Sequence, residues 1–136
     1  MDVSLSMLAN DINPTRLERA KRKALKLTEK LEKNKNNHRV GIVLFAGSSY
    51  LYVPLTEDYD ILRNFIKEIR PELIESQGSA LSDAIRTSAK ALFAGGSKAA
   101  RIVLFSDGED NKIEIAEAIT ILKDNKLVLH LSLIHI

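Results

Sequence analysis

The sequence predicts an α/β domain in which a mostly parallel sheet is layered between helices, and three observations carry that prediction. Two apolar runs, Val40-Gly41-Ile42-Val43-Leu44-Phe45-Ala46 and Ile102-Val103-Leu104-Phe105, have the continuous character of strands covered on both faces. Around them apolar residues recur at spacings of three and four, which marks helices with one buried stripe. Acids and hydroxyls cluster in Asp2-Val3-Ser4-Leu5-Ser6, in Gln77-Gly78-Ser79 and in Ser106-Asp107-Gly108, where strands end or loops follow them. Open α/β sheets place their sites at such edges.

Length and composition set the frame. A chain of 136 residues with 45% hydrophobic content buries one core and makes one domain. A formal net charge of +2 gives nucleic-acid binding no support, so no nucleic-acid partner is expected. The absence of cysteine excludes disulfides, thiolate metal sites and thiol nucleophiles. No stretch approaches the roughly 20 apolar residues of a membrane span. Met1 to Asn10 also lacks the basic and then apolar pattern of a leader.

The elements follow in order. If the backbone at Asp2-Val3-Ser4-Leu5-Ser6 is extended or just leaving a strand, its alternation turns three oxygens to one side. Asn13-Pro14-Thr15 reads as a helix start, and Leu17, Ala20, Ala24, Leu27 and Leu31 form the buried stripe up to a stop at Asn34 to Asn37. Arg16, Arg19, Arg22, Lys23, Lys26, Lys30 and Lys33 fall on the other face, which reads as solvated. After the strand at Val40 to Ala46, Gly47-Ser48-Ser49 turns the chain into a second, edge strand, since Pro54 cannot donate to a ladder. Tyr50 and Tyr52 are expected to point outward.

Thr56-Glu57-Asp58 opens a helix with Ile61, Leu62, Phe65, Ile66 and Ile69 along its stripe, stopped at Pro71. Gly78-Ser79 leads into a third helix through Leu81, Ile85, Ser88, Ala89 and Leu92, closed by Gly95-Gly96. Arg101 to Phe105 is a strand, Ser106 to Asn111 an acidic loop, Ile113 to Leu122 a helix carrying Ile113, Ala116, Ile119 and Leu122, and Leu127 to Ile136 a last strand. A site built on Asp2 calls for an apolar strand feeding into it, so the central first strand is expected to be largely missing and the isolated chain unstable. Residues 131–136, Leu131-Ser132-Leu133-Ile134-His135-Ile136, are also what one reading frame of a transposon-end sequencing adapter encodes, and they are expected to be an artefactual tail.

The chemistry suits a hard cation. Mg²⁺ takes a near-octahedral oxygen shell at about 2.1 Å, keeps several waters and needs only one or two carboxylates. Ser4, Ser6 and Ser79 are candidates for direct ligands, with Asp2 and Asp107 setting the charge and holding waters. Neutral direct ligands leave the metal short of anionic oxygen, and the open position invites a carboxylate from a partner. Each residue alone also has a plainer role, as a turn former or, for Ser79, a helix cap.

These residues resemble the metal-ion-dependent adhesion site (MIDAS) of von Willebrand factor A domains, whose pattern is Asp-x-Ser-x-Ser, then Thr or Ser, then Asp. Asp2, Ser4 and Ser6 match the first element, Ser79 the second and Asp107 the third. Pro14 to Glu18, Arg39 to Gly47, Pro54 to Tyr59, Gln77 to Ile85 and Ser106 to Asn111 look like the bacterial aerotolerance (Bat) group of these domains. The resemblance covers residues 2–130. Where that group usually has Thr, this chain has Ser79, which keeps the hydroxyl and loses the stiffness of β-branching.

The resemblance implies a three-layer Rossmann-like fold and a Mg²⁺- or Mn²⁺-dependent protein–protein interaction module, with no catalytic residues, that binds an acidic side chain of a protein partner. It also implies a bacterial membrane setting, periplasm-facing, with the tethering segments outside this fragment. One alternative is a cytoplasmic module working beside an AAA+ ATPase or chelatase. Another is a Mg²⁺-dependent phosphatase, which would want a second Asp where Ser4 stands. No P-loop and no Gly-x-Ser-x-Gly elbow is present.

Overall fold

The computed structural model describes residues 1–34, 37–96, 99–109 and 112–134. Its elements are α1 (Arg16–Lys33), β1 (Val40–Phe45), β2 (Ser49–Thr56), α2 (Tyr59–Lys67), α3 (Leu81–Ala94), β3 (Arg101–Ser106), α4 (Lys112–Asp124) and β4 (Val128–Leu133), with 3₁₀ turns at Leu5–Leu8 and Pro71–Leu73. The predicted alternation of strands and helices is present.

The strands form two pairs. β1 and β2 make an antiparallel hairpin in which Phe45 faces Ser49 and Val40 faces Thr56. β3 and β4 run parallel, from Arg101 opposite Val128 to Ser106 opposite Leu133. Met1–Val3 stitches the two pairs together at the carboxyl ends of β1 and β3. Phe45 N donates to Met1 O and Val3 N to Phe45 O on one side, while Asp2 N donates to Phe105 O on the other. Asp2 is therefore a one-residue parallel strand between β1 and β3. Below it the inner edges of β1 and β3 face a cleft of about 870 Å³, lined by Ile42, Val43, Ile102 and Leu104 and walled by α1 and α3.

That cleft explains why β1 departs from a strand covered on both faces: Val40 to Val43 are only half-buried, and Leu44 and Phe45 are fully buried. In β3, Ile102 and Leu104 face one core cluster while Arg101 and Val103 are exposed, so the first half of this strand is covered on one side and only its end, from Phe105, on both.

Burial joins two clusters, one around Val3, Met7, Leu17, Leu44 and Ile66, the other around Phe45, Leu81, Ile85 and Leu104. The helices start where short polar side chains satisfy free backbone donors. Thr15, not Asn13, caps α1 by accepting from Glu18 N at 3.1 Å, and Asp58 caps α2 by accepting from Ile61 N at 3.0 Å. Within α1, Leu17, Ala20 and Ala24 are buried, while Leu27 and Leu31 border the cleft.

Several sequence expectations shift. Ile61 and Phe65 of α2 are largely exposed, because only Leu62 and Ile66 reach α1 and the core. On α4 the buried residue is Ala118, with Ile121 and Leu122 beside it, and Ile113 and Ile119 face outward, so the stripe is rotated from the one expected. Tyr50 and Tyr52 lie half-buried against the core instead of outward, with Tyr52 edge-on to both Tyr50 and Phe65 at ring separations of 6.1 and 5.2 Å. Leu131 to Leu133 continue β4, and Ile134 is buried with its N–H on Ser106 O. His135 and Ile136, like Asp110 and Asn111, lie outside the described residues.

Candidate metal site

The site grows from the stitch. Because Met1–Val3 is held on both sides by backbone bonds, Asp2 is fixed at the carboxyl ends of β1 and β3, with the residue only 1% exposed. Ser4 has extended backbone, and the next residues turn at once into a 3₁₀ helix. Ser6 thus comes round by a tight turn and not by continued alternation. Asp2 Oδ1 accepts from Ser4 N at 2.9 Å and from Ser4 Oγ at 2.6 Å, and the Ser4 and Ser6 hydroxyls lie 3.0 Å apart. Asp2 Oδ2 accepts from Ser106 Oγ at 2.8 Å, and Ser106 Oγ in turn accepts from Gly108 N at 3.1 Å.

Asp107 follows Ser106 at the end of β3 and is also buried. It is close enough to Asp2 for their charges to repel. Burial, and to a smaller degree Asp107, pushes the Asp2 carboxyl above its ordinary range, against the opposing hydrogen bonds from Ser4 and Ser106. Asp107 Oδ1 accepts from Glu109 N at 3.2 Å, and Oδ2 accepts from Arg16 Nη1 at 2.9 Å.

Ser79 arrives from the loop before α3. That loop is pinned to the residues following β1, since Gly47 N donates to Ser76 O at 3.0 Å and Ala80 N to Ala46 O at 2.6 Å. Gly78 takes φ +119°, a conformation that side chains disfavour, so glycine there lets the chain deliver Ser79 at the strand end. Ser79 does not cap α3, whose N-cap is Ala80. The structure thus links Asp2, Ser4 and Ser6 directly, brings Asp107 beside them through Ser106, and sets Ser79 on the adjoining loop.

Two groups were hidden from sequence reasoning. Arg16, assigned to the solvated face of α1, is only 8% exposed: Nε and Nη2 grip Asp11 at 3.1 and 2.8 Å, and Nη1 is shared by Asp107 and Glu109. Its position at the very start of α1, beside the strand ends, is the signal that the periodicity of the basic face concealed. Lys21 is buried too, donating to Ile69 O and Glu18. Ser106 is the other: the sequence places it in a cluster of acids and hydroxyls, but its bond to Asp2 is readable only once Asp2 is known to lie beside β3.

The donors fit a hard cation. They are all oxygens, and the buried Asp2 carboxylate has no basic side chain among the described residues to balance it. Among the described residues no cluster of three or more His, Cys, Asp or Glu side chains is arranged for a metal, so any cation here rests on hydroxyls and two acids. That suits Mg²⁺ or Mn²⁺ better than Zn²⁺.

Known proteins share this architecture. The structure of the conserved hypothetical protein BatB from Bacteroides thetaiotaomicron matches with a TM-score of 0.85 and 32% identity, over 96% of this chain and 62% of that one. An aerotolerance-related membrane protein from Bacteroides fragilis, solved with multiple mutations to serines, matches with a TM-score of 0.80 and 34% identity over the same shares. A UPF0353 protein of Mycolicibacterium paratuberculosis is 35% identical over 114 residues, which is 82% of this chain and 34% of that protein. The chain therefore spans about a third of the length of the curated relatives it matches. The von Willebrand factor type A domain model matches residues 1–109, a span that holds all five candidate site residues. With the α/β fold and the strand-end placement of those residues in agreement, the chain belongs to the von Willebrand factor type A domain family.

Proposed function

We propose that this chain is a divalent-metal-dependent protein–protein interaction module of a membrane-associated, Bat-type bacterial protein. In this reading Asp2, Ser4, Ser6, Ser79 and Asp107 hold Mg²⁺ or Mn²⁺, and an acidic side chain of the partner completes the shell. The observation that carries it is the Asp2 carboxylate: buried, bonded to two serine hydroxyls, repelled by Asp107 and without a basic side chain of its own. A buried anion in that position is stabilised by a cation. When bound, the metal would offer a Lewis-acidic position to an incoming carboxylate. The protein's part is to hold the hydroxyls at one place and keep the two acids apart.

The similarity to an aerotolerance-related membrane protein supports the membrane setting. Among the described residues no helix is long and apolar enough to cross a membrane, so in this reading the tether lies elsewhere in the protein and the domain faces the periplasm. The module binds and does not catalyse.

Calorimetric titration of Mg²⁺ and Mn²⁺ into the wild type and into Asp2→Ala and Asp107→Ala tests the reading. Wild-type binding that both substitutions remove is the expected result. Equal metal affinity in wild type and Asp2→Ala, with both proteins folded, refutes the site.

A further inference from the structure

We propose that Arg16 is a built-in counter-cation that makes metal retention at this site conditional on a partner's carboxylate. The inference rests on the metal-site reading above and adds a regulatory element to it. Arg16 is the first residue of α1, where the helix dipole is unfavourable to a cation. The chain nonetheless holds it there, almost fully buried, with Asp11 gripping one edge of the guanidinium and Asp107 and Glu109 sharing Nη1. So anchored, the guanidinium has little freedom to leave when another cation arrives.

The charges decide what this does. Asp2 and Asp107 are the two buried acids, and Arg16 is the buried base bonded to one of them; Lys21, also buried, is tied instead to Glu18 and Ile69 O. Together Asp2, Asp107 and Arg16 carry one net negative charge. Asp11 and Glu109 also bond Arg16, but their side chains are 44% and 57% exposed, and solvent screens them. A divalent cation therefore brings the buried cluster to a net charge of +1. One carboxylate from outside returns it to zero. Without Arg16 the two acids alone would neutralise the metal, and the incentive to recruit a partner would be gone.

The hydrogen bonds agree with the charges. Asp107 spends one acceptor site of Oδ2 on Arg16 and one of Oδ1 on the backbone of Glu109, so each oxygen keeps one site for a water or a cation, in an orientation that Arg16 helps to fix. Asp2 is bonded to Ser4 and Ser106. Arg16 thus works through Asp107 as a positioning residue: it fixes the orientation of that acid and offsets its charge.

The test is calorimetric titration of Mg²⁺ into wild type, Arg16→Gln and Arg16→Lys, in chloride and in acetate of equal ionic strength, with acetate as the probe for a partner's carboxylate. Removing one positive charge a few ångströms from a divalent cation should tighten Mg²⁺ binding on the order of tenfold or more. Arg16→Gln is therefore expected to bind Mg²⁺ about tenfold tighter than wild type in chloride, while Arg16→Lys stays near wild type. Acetate should strengthen Mg²⁺ binding to wild type and leave Arg16→Gln unmoved, a coupling that a purely structural brace would not create. A folded Arg16→Gln that binds Mg²⁺ no tighter than wild type overturns the inference and leaves the metal site standing. If neither protein binds, the metal reading itself falls and takes this one with it. If Arg16→Gln is unfolded without metal, Mg²⁺ should restore its cooperative melting and raise its midpoint more than that of wild type. Failure to do so also overturns the inference.

Discussion

Gly47 offers the sharpest test of how the second strand-end loop is positioned. A Cβ built on this residue would sit 2.2 Å from Gln77 O and 2.8 Å from Gln77 C, whereas real contacts of this kind stay above about 3.0 Å. The obstacle is backbone and cannot swing aside like a side chain. In Gly47→Ala the Ser76–Ala80 loop must therefore retreat by close to an ångström, pulling on the Gly47 N to Ser76 O and Ala80 N to Ala46 O bonds. Overpacking of this kind costs about 1–3 kcal/mol. For a domain of this size that corresponds to a fall in melting temperature of roughly 4–12 °C. The metal effect should be larger in proportion, because a ligand must lie within about 0.2 Å of its ideal distance to count. Ser79 rides on the loop that moves. Thermal unfolding followed by circular dichroism, paired with Mg²⁺ calorimetry, is the assay: the expected outcome is a lowered midpoint together with at least tenfold weaker Mg²⁺ binding. A Gly47→Ala protein with wild-type melting and wild-type Mg²⁺ affinity would show that the close approach of these two loops does not set the position of Ser79, and the reasoning would fail.

Two further outcomes follow from the same geometry. Ser79→Thr retains the hydroxyl and stiffens χ1, so Mg²⁺ affinity by calorimetry should be unchanged or tighter, whereas Ser79→Ala should weaken it. Ser106→Ala deletes the 2.8 Å bond to Asp2 Oδ2 in a fully buried spot, and should cost about 1–3 kcal/mol in denaturant unfolding. A midpoint equal to wild type would show that the Ser106 bond contributes nothing.

Most of the fold was legible because its signals are local. The caps, the apolar runs and the glycine turns each act over a few residues, and the strands and helices they predict are all present. What failed depended on which neighbour a face meets. The rotated stripe of α4 is an example: Ile113 and Ile119 fit the helical period as well as Ala118 does, and only the packing of α4 on α3 selects between them. Tyr50 and Tyr52 looked outward by alternation, but Phe65 of α2 and the core fold over them. Among the candidate site residues, the closeness of Asp2, Ser4 and Ser6 was readable from their spacing, and the placing of Ser79 and Asp107 on loops near strand ends from the breaks they follow. Arg16 was not readable. Its sequence neighbours are a row of solvated bases, and its partners Asp107 and Glu109 come to it only through the fold.

That separation along the chain has a kinetic side. Arg16 meets Asp107 across 91 residues, and Asp2 meets Ser106 across 104. Closing loops of that length costs chain entropy that grows only slowly with size but must be met before either contact gives anything back. The β1–β2 hairpin and the turns of α1 can form early from nearby residues, whereas the oxygen cluster cannot exist until β3 has docked against the first three residues. During synthesis, the oxygens of the candidate site would therefore assemble only after Asp107 has emerged. A metal bound here would act as a late latch and not as a nucleus, slowing the opening of a finished domain while leaving the rate of its first collapse unchanged.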